Sequence, residues 1–112
     1  MMQRKIVDGV PYVVVSRYID QKVEQQIRQM TTFRRGNLGQ AVTNLLRKGM
    51  HEMDTISLEQ RQVRIHKIPG DLGRIVVLIP EDLDHAVRHR AVLWDAPIYR
   101  VFSAMLKKGL ET

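Results

Sequence analysis

Arg34 and Arg35 stand just ahead of Gly36-Asn37 and an apolar stripe of helical spacing. Two guanidiniums beside a helix N-terminus, where the first N–H groups lack intrahelical acceptors, form a combination that binds phosphate. A second basic stretch, "RQVRIHK" at 61–67, places Arg64 and Lys67 where an extended arm can follow a phosphate backbone. His85 and His89 lie four apart, as paired metal ligands do on a helix, but no carboxylate or cysteine completes a set at the expected spacing. They read instead as a polar, solvent-facing stripe with Arg88, and no metal or cofactor is expected. Glu81, Asp82 and Asp84 suit the first turn of a helix, where the dipole favours negative charge. There is no glycine-rich phosphate cradle ending in Lys-Ser/Thr and no visible nucleophile with a paired base, so an enzyme is not expected.

The composition points to the same kind of partner. Eighteen Lys and Arg against twelve Asp and Glu give a formal charge of +6 and a pI near 10.1, a balance suited to a polyanion. Aromatic residues make up only 5% of the chain, which disfavours a single-strand binder that stacks bases and favours duplex DNA. The absence of cysteine excludes disulfides and thiolate metal sites and fits the reducing cytoplasm. No apolar run approaches the roughly 20 residues of a membrane span, and no charged-then-apolar leader is seen, so neither membrane nor secretion is expected. A length of 112 residues with 44% hydrophobic content predicts one folded domain.

The elements that must position these residues occur twice. Offset by sixty positions, Lys48-Gly49 falls on Lys108-Gly109, Ile19 on Ile79, Val23 on Leu83 and Ile27 on Val87. Phe33 then falls on Leu93, Leu38 on Ile98, Val42 on Phe102, Leu45-Leu46 on Met105-Leu106 and Met50 on Leu110. Each copy reads as a β-branched strand, a first helix, a break and a second helix. Asn37 is the expected N-cap in one copy, and Pro97 opens the second helix in the other. A unit of about 40 residues cannot bury enough surface alone. The two copies are therefore expected to interlock, Val13–Ile19 pairing antiparallel with Arg74–Ile79 over four helices, so that one chain makes a folded monomer with the symmetry of a dimer. The organisation is repeat one at 1–53, a linker at 54–73 and repeat two at 74–112.

This pattern resembles the ribbon-helix-helix family of the Arc and MetJ repressors, in tandem form similar to conjugative-plasmid accessory proteins and some regulators. The stretch "RIVVLIPEDLDHAVRHRAVLWDAPIYRVFSAMLKKGL" carries the resemblance most fully. It implies an α+β fold in which a two-stranded ribbon enters the major groove while the second-helix N-termini clamp phosphates. Carried over by position, the outward ribbon residues are Val14, Ser16 and Tyr18 in one copy and Arg74, Val76 and Leu78 in the other. The clamps fall at Asn37-Leu38 and Pro97-Ile98. Arg17 takes the inward phase, where the equivalent residue of the other copy is Val77, and joins the base-reading set only through a bulge or a phase shift. Ser16, Arg17, Tyr18, Arg74 and Val76 are thus the expected base readers, with Arg34, Arg35, Asn37, Leu38, Arg64 and Lys67 on phosphates.

Two segments fall outside that core. Asp8-Gly9 between apolar runs predicts a hairpin leading into the first ribbon strand. Val63 and Ile65 alternate before Pro69-Gly70-Asp71, which predicts a second leading strand and hence a four-stranded sheet, with the basic arm as the alternative. The function implied is sequence-specific duplex DNA binding in transcriptional regulation. Two alternatives are a relaxosome accessory and an antitoxin-type interaction module that has lost DNA binding. Side-by-side association of two monomers on a longer site is compatible with each DNA-binding reading.

Overall fold

The computed structural model describes residues 4–34, 38–66 and 70–112. In chain order the elements are β1 (Arg4–Val7), β2 (Val10–Asp20), α1 (Gln21–Arg34), α2 (Leu38–Thr55), α3 (Leu58–His66), β3 (Leu72–Pro80), α4 (Glu81–Leu93) and α5 (Ile98–Glu111). The fold is α+β: one antiparallel sheet of order β1-β2-β3, with the helices packed against its inner face.

β1 and β2 form the hairpin expected at Asp8-Gly9. Both turn residues have positive φ, 51° and 80°, as a two-residue turn matched to strand twist requires. The central ribbon is the β2–β3 pair, whose register runs without interruption from Tyr12–Pro80 to Asp20–Leu72. Strand alternation puts Val13, Val15, Ile19, Ile75, Val77 and Ile79 on the inner face, where all are buried. Beneath them lie Val23 and Ile27 of α1, Leu83 and Val87 of α4, and the apolar stripes of α2 and α5. Each fully buried aliphatic side chain contributes about 1.5–3 kcal/mol relative to exposure.

Equivalent elements keep a constant spacing. α1 and α4 begin at 21 and 81, α2 and α5 at 38 and 98, and the ribbon pair Ser16–Val76 is also sixty apart. The aligned pairs Ile19/Ile79, Val23/Leu83, Ile27/Val87, Val42/Phe102, Leu45/Met105 and Leu46/Leu106 are buried on both sides. Leu93 departs, being 67% exposed at the end of α4.

α2 and α5 cross in direct backbone contact. A Cβ at Gly49 would overlap the Met105 carbonyl, and a Cβ at Gly109 would overlap the Leu45 carbonyl. The contact is reciprocal: each glycine meets the residue four before the other. Only residues without a side chain let the helix axes approach this closely.

Among the described residues no second leading strand forms, and the sheet has three strands rather than four. Residues 58–66 form α3 instead, neither strand nor extended arm. Ser57 Oγ accepts the Gln60 N–H at 3.2 Å, an N-cap whose Ser-x-x-Gln spacing is visible in the sequence. Arg61 then secures the helix. Its Nε donates to the Met53 carbonyl at 3.0 Å near the end of α2, and its guanidinium sits 4.7 Å over the buried Trp94 ring. Val63 and Ile65, which looked like strand alternation, separate here into one exposed and one buried helical position. Arg90 joins α4 to α2 through a two-pronged bond to Asp54, at 2.9 and 2.6 Å, and the Asp54 bond raises the Arg90 pKa.

Gly49→Ala or Gly109→Ala should each destabilise the fold by about 3 kcal/mol, the upper end of overpacking costs, because a backbone carbonyl stands in the way. Gly70→Ala, with open space around its Cβ, should stay within roughly 1 kcal/mol of the parent. Urea unfolding of the three variants checks the contrast.

Candidate nucleic-acid interface

Residues directly opposite in an antiparallel pair share a face, so Val14–Leu78, Ser16–Val76 and Tyr18–Arg74 together make the outer surface of the ribbon. Ser16 and Arg74 are exposed there, Tyr18 is 56% and Val76 53% exposed, and Val14 and Leu78 are half-buried. Arg74 Nε donates to Ser16 Oγ at 2.8 Å, a diagonal bond that holds the guanidinium over the middle of the ribbon. A guanidinium so placed can offer its terminal N–H groups to O6 and N7 of guanine, while Val76 can touch a thymine methyl.

β1 does not broaden this middle. Among the described residues it pairs only with Val10–Val13, and Val14–Asp20 and Leu72–Leu78 pair with each other alone. Two strands about 4.8 Å apart fit a major groove roughly 12 Å wide. The hairpin also adds Lys5, opposite Tyr12 and therefore on the outer face. The two-residue turn at Asp8-Gly9 determines that register, so the place of Lys5 is legible in the sequence.

Arg17 is a correction to the expected base-reading set. No bulge or phase shift turns it outward; the ladder is continuous through its pair with Ile75. Its side chain is 14% exposed and points to the inner face, bonding Asp84 Oδ1 at 3.2 Å, with its guanidinium 5.9 Å from the Phe102 ring. Asp84, 2% exposed, also accepts from Arg88 Nε at 2.9 Å. Burial lowers the Arg17 pKa, the Asp84 carboxylate pulls it back up, and Arg88 lowers it further. Arg17 Nε is buried without a hydrogen-bond partner among the described residues. Arg17 is thus half-buried at the edge of the core, paired with a carboxylate from the other half of the chain.

The expected phosphate contacts fare unevenly. Leu38 opens α2 and Ile98 opens α5, and Pro97 provides α5 with no side-chain cap, so its first N–H groups are available to an anion. Arg34 closes α1, while Arg35, Asn37 and Lys67 lie outside the described residues. Arg64 lies on α3. It pairs with Glu111 at 2.9 Å, at the end of α5 that is about 20 Å along the helix from Ile98. His85 is exposed and 3.6 Å from Glu81, and His89 is exposed. No cluster of three or more metal-ligating side chains occurs among the described residues, and no helix among them is long and apolar enough to cross a membrane.

No family model, curated protein or solved structure matches the chain.

Asp84→Ala should cost about 3 kcal/mol, since it leaves the half-buried Arg17 guanidinium without its carboxylate. Replacing both partners, Arg17→Met with Asp84→Leu, should recover most of that loss. Denaturant titration of the single and double variants measures both values; a single-variant cost under about 1 kcal/mol would place the pair in the class of exposed bridges.

Proposed function

We propose that the chain is a tandem ribbon-helix-helix protein. Two strand-helix-helix units fused in one polypeptide bind double-stranded DNA sequence-specifically, with the β2–β3 ribbon in the major groove. The observation that carries this reading is the slim, exposed middle of the ribbon, with Arg74, Ser16 and Tyr18 together on its outer face in a chain of charge +6. The uncapped start of α5 supports a phosphate contact beside the ribbon. Transcriptional regulation in the cytoplasm is the role proposed. A relaxosome accessory would use the same chemistry at a transfer origin, and two monomers side by side would cover a longer site.

A second reading has its own support. Val10, Leu72 and Val76 are each 44–53% exposed, an apolar content unusual for a surface that reads hydrogen-bonding groups. That favours an antitoxin-type module whose ribbon meets protein.

Selection from a random duplex library, followed by titration of single-base variants of the recovered site, separates these readings. Arg74→Ala should cost about 1–3 kcal/mol at one G·C pair and little elsewhere. A uniform loss across the variants makes Arg74 a backbone contact. Failure of the selection to enrich any sequence moves the interaction module ahead.

A further inference from the structure

α3 stands outside the sixty-residue correspondence: residues 58–66 have no equivalent helix in the other half of the chain. It is tied down through Arg61 and packs chiefly on α5, leaving a cavity of about 770 Å³ between α3, α5 and the strand ends at Asp20 and Leu72. That volume falls within the roughly 300–1,000 Å³ of small-molecule sites and is too small to seat a folded partner.

The lining has two parts. Ile56, Val63, Leu72 and Ala104 form an apolar wall, and Val63 and Leu72 remain 62% and 49% exposed in it. Along α5 the wall is edged by Arg100, Lys107 and Lys108, with hydroxyls from Tyr99 and Ser103. Three acids line the cavity: Glu111 is paired with Arg64, Asp20 Oδ1 accepts the Lys22 N–H at 3.0 Å, and Glu59 stands on α3, across from the α5 cations. Lys107 and Lys108 have no ion-pair partner among the described residues. An apolar wall beside unpaired ammonium groups suits a ligand with an apolar body and one negative end.

We propose that this cavity is a binding site for a small amphipathic organic anion, a carboxylate on a hydrocarbon body, with its chain along Val63 and Leu72 and its carboxylate at Lys107 and Lys108. The site borders the Asp20–Leu72 end of the ribbon and does not include Ser16, Tyr18 or Arg74, and the proposal does not depend on DNA binding.

Decanoate, decanol and decylammonium serve as probes of the full-length protein, followed by amide chemical shifts. Decanoate should give saturable shifts centred on Val63, Leu72 and Ala104, with decanol about tenfold or more weaker and decylammonium without saturable binding. Lys107→Gln with Lys108→Gln should weaken decanoate about tenfold or more while leaving decanol unchanged. Val63→Asp, an exposed position where the fold should survive, should abolish both. Decanol binding as tightly as decanoate would overturn the anion site. Shifts that never saturate, or that centre on Ser16, Arg74 and Val76, would overturn the cavity as the binding site.

Discussion

Where α2 and α5 cross, two backbones touch with no side chain between them, and the rest of the molecule is arranged around that approach. Gly49 meets the carbonyl of Met105 and Gly109 meets that of Leu45, so the contact is the same seen from either helix. Contacts of this kind arise when like surfaces meet across a twofold axis. Close helix axes bring Val42, Leu46, Phe102 and Leu106 into one core and leave the two strands side by side above it, centred on Ser16–Val76. The exposed middle of the ribbon is therefore a consequence of helix packing, because each strand is carried into place by the helices that follow it.

The departures from symmetry are as informative as the symmetry. The ion pairs Glu24–Arg28 and Asp84–Arg88 occupy equivalent turns of α1 and α4, yet the Glu24 side chain is 18% exposed and that of Asp84 only 2%. The difference follows from the strands. Arg17 reaches inward to Asp84, whereas its counterpart Val77 offers Glu24 nothing ionic. A buried charge and its partner thus come from opposite halves, which penalises pairing of the second half with a copy of itself, since that would leave Asp84 without Arg17. β1 on one side and α3 on the other extend the difference. β1 adds Lys5 to the ribbon face, and α3 fills with helix the stretch where a second leading strand was expected.

Much of this arrangement was legible in the sequence because it rests on periodicity. The paired apolar skeleton, the inward and outward alternation of the strands and the Asp8-Gly9 turn are local patterns, and local patterns survive in sequence. α3 is less legible because Val63 and Ile65 satisfy a two-residue period over too short a span to distinguish strand from helix, and the Ser57-x-x-Gln60 cap is the better signal. The role of Arg17 is hidden in the sequence because its partner lies 67 positions away, and spacing along the chain does not reveal which carboxylate will meet an inward guanidinium. Gly49 and Gly109 anchored the alignment of the halves, but a glycine within a helical stripe looks the same whether it marks a weak turn or a crossing. Only the helix packing distinguishes the two.

The central claim is that both halves of the structure come from one polypeptide, so folding does not require a second chain. Sedimentation equilibrium combined with thermal unfolding over a wide range of protein concentration tests it directly. The account predicts a folded species of 13.0 kDa whose melting temperature does not change with concentration. An obligate dimer whose melting temperature rises with concentration, with no folded monomer at the dilute end, would contradict it.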